Sequence, residues 1–158
     1  MKTKNHIWFG LLAAGLIIVL FLIQYFNNIP FGHAAFKWAP IGIIVTMVIL
    51  SAFRYGRLFE APSFGELFSN GFRTTAVTVV IFAIFFVVFV QLFPEYKDKF
   101  VAEVVAAGPN AASTADREKD IAMLKDNLIV SALAGSLINY LIPGMLAALL
   151  GAALVKKK

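Results

Sequence analysis

Four long runs of apolar residues, almost free of charge, set the strongest limit on what this chain can fold into. They cover residues 7–26, 36–53, 74–93 and 128–155. An α-helix rises 1.5 Å per residue, so about 20 apolar residues cross the roughly 30 Å hydrocarbon core of a bilayer. With 60% hydrophobic and 15% charged residues, the chain has more apolar surface than a soluble domain of this length buries. The runs predict an all-α membrane protein, a bundle of four transmembrane helices in a single domain.

The first run follows Lys2 and Lys4, as the apolar core of a cleaved signal peptide would. Such cores are usually about 7–15 residues long and end at a pair of small residues. This run has twenty uncharged residues, and the nearest such pair, at residues 32–34, lies well beyond it. We expect a retained helix, with a signal peptide as the alternative.

The third run begins with a recognisable helix start. Ser63 and Glu66 form the S-x-x-E pattern of a capping box, in which each side chain bonds the other residue's backbone N–H. Further along, an aromatic stripe recurs at spacings of three and four residues. Its members are Phe82, Phe85, Phe86, Phe89 and Phe93. We expect this stripe to contact lipid or to pack against another helix.

Residues 94–127 form the one long polar stretch. An apolar face (Tyr96, Phe100 and Val101 among its residues) is followed by a stop at residues 108–110 and a second helix start at Ser113 or Thr114. This pattern predicts an amphipathic helical hairpin between the third and fourth transmembrane helices. Its apolar face would lie toward lipid or toward the helix ends.

The positions of the basic residues predict the orientation of the chain in the membrane. Eight of them lie on one side: Lys2, Lys4, Arg54, Arg57, Arg73, Lys156, Lys157 and Lys158. The other side has six, which are Lys37 and five within the acidic polar stretch. Because Lys and Arg in short segments near span ends favour the cytoplasm, we expect both termini to be cytoplasmic. Arg54, Arg57, Arg73 and the three terminal lysines are then cytoplasmic anchors.

Polar residues within the membrane gather in the last run. Pro143 has no N–H, so the carbonyl of Asn139 loses its helical partner, and Gly144 favours a kink. Asn139, Tyr140, Pro143 and Gly144 are therefore the candidate polar site. The alternative is that the kink only shapes the bundle.

Small residues recur four apart in the first and last runs. They are Gly10 and Ala14, and Gly144, Ala148 and Ala152. Small side chains let helix backbones approach closely in lipid, so these are predicted packing faces, either within the bundle or between copies.

No arrangement of residues predicts catalysis. The chain has no cysteine, no ionisable residue lies in the centre of a run, and His6 and His33 lie far apart. We expect no enzyme, cofactor or metal, and no nucleic-acid partner, since the basic residues flank apolar runs rather than form one polar surface.

Three short motifs resemble those of one known family. They are Ser63-Phe64-Gly65-Glu66-Leu67-Phe68 with Gly71-Phe72, Leu92-Phe93-Pro94-Glu95-Tyr96, and Ile142-Pro143-Gly144-Met145-Leu146 with the terminal lysines. Together they resemble the DUF4199 family over most of the chain. The resemblance implies a small bacterial four-span protein of the cytoplasmic (inner) membrane, of unknown function.

The expected function is a non-enzymatic scaffold or accessory subunit of a membrane complex. The hairpin would be its recognition surface, and its partners would be the lipid bilayer, a second copy or another membrane protein. The alternative is a carrier or binder of a lipid or other uncharged amphiphile in a cavity near Asn139. An enzyme acting on lipid headgroups is a third hypothesis.

Overall fold

The structure is a computed structural model that describes residues 4–107 and 121–155. Within these ranges the helices are α1 Asn5–Phe26, α2 Ala34–Leu58, α3 Phe64–Leu92, α4 Glu95–Ala107 and α5 Leu128–Leu154, and helical residues 121–126 precede α5. Helices α1, α2, α3 and α5 are long and apolar enough to cross a membrane. The all-α class and the four spanning helices are thus confirmed, and the chain is a multi-pass membrane protein.

The four spanning helices form an antiparallel bundle. Helix α3 packs against α1 and α5, α2 packs against the same two helices, and α2 also meets α3 across the centre. We call the end where α1 begins and α5 finishes the terminus end. The opposite end, where α4 lies, is called the α4 end.

Helices α2 and α3 extend beyond the apolar runs that predicted them. Helix α2 continues to Leu58, five residues beyond the predicted end of its run, because Arg54 and Arg57 extend the helix while their charges reach the interface. Helix α3 begins at Phe64, behind the predicted capping box of Ser63 and Glu66, which is confirmed. Helix α5 continues through Pro143.

Close helix contacts depend on glycines. A methyl group added to Gly10 would lie 2.6 Å from Val77 Cγ1, and one added to Gly71 would lie 2.9 Å from Ala148 Cβ. A methyl group on Gly144 would collide with the Thr75 side chain. Because lipid is as apolar as these helices, close packing of this kind, rather than escape from water, holds the bundle together.

The α4 end is filled by aromatic rings. Phe21 of α1 makes edge-on contact with the stripe on α3, at 4.9 Å between ring centroids for Phe89. Tyr96 of α4 inserts into the same cluster, 5.5 Å from Phe89, and is only 4% exposed. The stripe therefore packs against other helices, and the apolar face of α4 lies toward the helix ends.

The predicted hairpin is described only in part. Lys125, in the helical residues before α5, forms a 2.6 Å salt bridge with Asp98 of α4. The predicted stop at residues 108–110 and the second start at Ser113 or Thr114 lie outside the described residues. The complete hairpin therefore stays a prediction.

The spanning helices offer a matched test of glycine packing. Gly144→Ala should lower the free energy of unfolding by about 1–3 kcal/mol, because the added methyl collides with Thr75. Gly15→Ala in α1, where the added methyl meets nothing within 4 Å, should leave it unchanged or raise it by roughly 0.5–1 kcal/mol. Unfolding in mixed detergent micelles, followed by circular dichroism, measures both variants. Equal losses would contradict the packing role of Gly144.

Candidate functional site

A network of buried polar side chains lies at the terminus end, where α1, α2 and α3 meet. Its hub is Ser51 of α2, which is fully buried. Asn70 of α3 donates to Ser51 Oγ at 2.8 Å, and Asn5 of α1 donates to the Ser51 carbonyl at 2.9 Å. The hydroxyls of Ser51 and Thr74 lie 2.9 Å apart. Asn5 also donates to Ser51 Oγ at 3.2 Å, so one hydroxymethyl group connects three helices.

The network continues along one face of α3. Thr74 donates to the Asn70 carbonyl at 2.9 Å, and Thr78 donates to the carbonyls of Thr74 at 2.9 Å and Gly10 at 3.3 Å. The last bond connects α3 to the α1 backbone at the point where Gly10 allows close approach. Among the described residues, no buried side-chain nitrogen or oxygen lacks a hydrogen-bond partner. These groups are saturated by each other, so the network fixes the geometry of the terminus end.

An open pocket lies directly above this network. It has a volume of about 340 Å³ and is lined by residues from three helices and the α2–α3 connection. They are Lys4, His6, Tyr55, Ser63, Gly65, Glu66, Ser69, Asn70 and Arg73. Asn70 belongs to both features, so the network holds one wall of the pocket in place.

The predicted polar site in the last span does not form one site. Asn139 is exposed on the outer surface of α5, and its side chain makes no hydrogen bond within the described residues. Tyr140 is half-buried, with its ring 5.7 Å from that of Phe82. Pro143 is half-buried, and Gly144 is buried against Thr75. Asn139 thus points away from the other members of the set.

One cavity beside the predicted site lies on the inner side of α5. It is lined by Tyr140, Phe82, Pro40 and Gln24 among other residues, and its volume is about 60 Å³. Ligand pockets usually have about 300–1,000 Å³, so this cavity is too small for a lipid or another amphiphile.

The predicted packing residues are buried within the chain's own bundle. Gly10 and Ala14 are buried in α1, where Gly10 faces α3. In α5, Gly144 and Ala148 face α3, and Ala152 is buried beside Gly151, which faces Ala52 of α2.

The predicted basic anchors gather at the terminus end. Arg54 and Arg57 are exposed in the last turns of α2, and the Arg54 guanidinium lies 6.0 Å from the Phe9 ring centroid. Arg73 is exposed on α3 and lines the pocket. Lys156, Lys157 and Lys158 lie outside the described residues.

At the opposite end, charged side chains hold α4 against the bundle. The Tyr25 hydroxyl donates to Glu95 Oε1 at 2.8 Å, and the backbone N–H of Phe31 donates to Glu103 Oε2 at 2.8 Å. A hydrogen bond to its own backbone N–H, then the Tyr25 hydroxyl and the charge of Lys99, lower the pKa of Glu95. The folded state therefore favours the Glu95 carboxylate, which contributes to the free energy of unfolding. That contribution is fully present above the ordinary pKa of 4.5 and is lost as the pH falls through the lowered pKa.

Sequence reasoning missed the Ser51 network, although part of its signal was present. Asn70, Thr74 and Thr78 are spaced four apart and so share one helix face. The sequence did not show which residues these side chains would bond. Asn5 and Ser51 are 46 positions apart, and only the packing of α1 on α2 brings them together.

Comparison with known proteins assigns the family. The family model described as "Protein of unknown function (DUF4199)" matches residues 8–157. The fold and this match define the chain as a member of a family of multi-pass membrane proteins. It belongs to DUF4199, as the motif resemblance implied. No curated protein matches the chain, and no solved structure does.

The role of Ser51 can be tested by removing one oxygen atom. Ser51→Ala should lower the free energy of unfolding by about 1–2 kcal/mol, because Asn70 and Thr74 lose a buried partner. The matched control is Ser136→Ala in α5, whose hydroxyl bonds only the Ala132 carbonyl of its own helix. Detergent unfolding of both variants measures the difference. A loss no greater in Ser51→Ala than in the control would rule out the hub role.

Proposed function

We propose that this protein is a non-enzymatic membrane scaffold or accessory subunit that associates with another transmembrane helix through the outer face of α5. The observation that carries the proposal is the placement of Asn139. It lies near the middle of a spanning helix, is exposed, and has no hydrogen-bond partner within the described residues. An amide facing hydrocarbon is costly, and a bond across to another helix relieves that cost.

The surroundings of Asn139 suit a helix–helix contact. Ser131 and Gly135 precede it at four-residue intervals, on the same face of α5. A methyl group added to Gly135 would meet nothing within 4 Å, so the side of α5 that carries Gly135 has no neighbour among the described residues. Val130 and Ile138 flank the face and are 68% and 61% exposed. Small residues at the centre and large apolar residues at the edge are typical of packing between membrane helices.

We place the partner contact on the α5 face rather than on the hairpin that the sequence predicts as the recognition surface. In the described part of the hairpin, Tyr96 and Val101 on the apolar side of α4 are buried against the bundle. The small residues of α1 and of the second half of α5 are likewise occupied inside the bundle. The first half of α5 keeps an available face, and we assign the partner contact to it. The partner is a second copy of this chain or a spanning helix of another membrane protein.

The carrier hypothesis is the less favoured alternative. It requires a cavity near Asn139 and Pro143, whereas Asn139 faces outward and the adjacent cavity holds about 60 Å³. The third hypothesis, an enzyme acting on lipid headgroups, is the least favoured of the three. Ser63 and Glu66, the side chains nearest such a role, bond each other in the cap of α3.

Asn139→Leu tests the proposal directly. With the amide removed, association through α5 should weaken by about 1 kcal/mol, which is roughly fivefold. Energy transfer between dye-labelled copies in lipid vesicles measures self-association, and gentle detergent purification identifies co-purifying proteins. Ser136→Ala is the control, since its hydroxyl is satisfied within α5. If Asn139→Leu changes neither self-association nor the set of co-purifying proteins, the proposal fails.

We also propose that the chain lies in the bacterial cytoplasmic membrane with both termini in the cytoplasm. The support is the position of Arg54, Arg57 and Arg73 at the terminus end, together with the lysines near both ends of the sequence. Short basic segments at span ends favour the cytoplasm.

The orientation can be tested with single cysteines, because the chain has none of its own. A membrane-impermeant maleimide added to spheroplasts should label Ala102→Cys in α4 but not Glu60→Cys in the α2–α3 connection. Both positions are exposed. Permeabilised cells, in which both variants should react, are the control. Labelling of Glu60→Cys alone in intact spheroplasts would reverse the assignment.

A further inference from the structure

The pocket above the Ser51 network has the chemistry of an anion site. Lys4 approaches from the start of α1, Arg73 from α3, and His6 from the first turn of α1. Burial, and after it the charge of Arg73, lower the pKa of His6, so His6 lines the pocket as a hydrogen-bonding ring rather than as a third cation. Two cationic side chains and one imidazole thus line one concave volume of about 340 Å³.

Lys4 and Arg73 supply the positive charge of the pocket. Within the described residues, neither Lys4 nor Arg73 takes part in a salt bridge, although both line the same pocket. The pocket lining includes one carboxylate, Glu66, which accepts from the Ser63 backbone N–H and hydroxyl, each at 2.9 Å. The lining therefore carries more basic than acidic side chains.

The remaining lining supplies hydrogen bonds suited to an oxyanion. Ser69 and Tyr55, which carry hydroxyl groups, line the pocket together with the basic residues. Arginine donates two parallel N–H groups to a phosphate, and lysine adds a point charge. Basic residues that merely reach toward water need no shared concavity, whereas here they surround one.

The position of the pocket favours a phosphate group carried by a lipid over free phosphate in solution. It lies at the ends of α1 and α2, where the chain passes from hydrocarbon to the headgroup layer. A neighbouring groove shares Lys4 and is lined by Arg54, Trp8 and Leu58. Trp8 and Leu58 are 66% and 50% exposed, so an apolar surface continues from the basic pocket toward the bilayer. Basic pockets between spanning helices are suited to acidic lipid headgroups.

We propose that the pocket lined by Lys4, His6 and Arg73 binds the phosphate group of an anionic lipid headgroup. The Ser51 network holds the wall that contains Asn70, so the site is formed before the lipid arrives. This inference is independent of the α5 contact, which uses other residues on another face.

The experiment compares Arg73→Gln with Arg57→Gln in the full-length protein. Both changes remove one exposed arginine at the terminus end, but only Arg73 lines the pocket. The proteins are placed in phosphatidylcholine nanodiscs with and without phosphatidylglycerol, and retained lipid is measured by native mass spectrometry. Affinity for phosphatidylglycerol should fall about tenfold or more in Arg73→Gln, the loss of one charge-assisted hydrogen bond. In Arg57→Gln it should remain close to the wild-type value.

A second arm separates a lipid from a free anion. Inorganic phosphate is titrated into the protein in phosphatidylcholine nanodiscs, and thermal stability is recorded. Stabilisation by phosphate that is lost in Arg73→Gln, without selective retention of phosphatidylglycerol, would support the phosphate site and overturn its assignment to a lipid. Equal effects of the two arginine variants, or none, would overturn the site itself. If Arg73→Gln does not fold, Lys4→Gln replaces it against the same control and the same outcomes.

Discussion

Hydrocarbon neither forms hydrogen bonds nor drives apolar surfaces together, and this property of the solvent determines how the bundle is built. Helices that would be pressed together by water must instead gain from close contact. Gly10, Gly71 and Gly144 provide that contact, because each lies where a side chain would meet the neighbouring helix. The same solvent forbids unpaired polar groups, so Asn5, Ser51 and Asn70 are buried only as a mutually bonded set. The close helix packing and the paired polar groups thus have one cause, the apolar solvent.

The two ends of the bundle meet this constraint with different chemistry. At the α4 end, aromatic rings from α1, α3 and α4 fill the space, and Tyr96 connects α4 to the spanning helices. Burial, with the Glu103 carboxylate, raises the pKa of Tyr96, so that its hydroxyl stays protonated. At the terminus end, small polar side chains fill the space, and basic residues surround a pocket above them. The aromatic end positions a peripheral helix, whereas the polar end holds a concave surface open to the interface.

The sequence predicted features that depend on local pattern. Uncharged runs located the four spanning helices, and Ser63 with Glu66 located the start of α3. It could not predict which side of α5 faces the bundle, because that helix is apolar on all sides and its pattern has no preferred direction. Asn139 was therefore grouped with Tyr140 and Pro143, although it faces outward. The Ser51 network was missed for a related reason, since its members meet only after three helices have packed.

The outward orientation of Asn139 is the physical reason for assigning an association surface to α5. Inside the bundle, the described polar side chains are paired, even where the bond is long or must reach the backbone of another helix. A chain under that constraint gains nothing from an amide directed at lipid in the middle of a span, where any apolar residue would cost less. The amide is accounted for if the surface it faces is a helix rather than lipid. Ser131 and Gly135 lie on the same face as Asn139 and provide the close approach that such a helix would need. Their four-residue spacing is the one that Gly144 and Ala148 have inside the bundle.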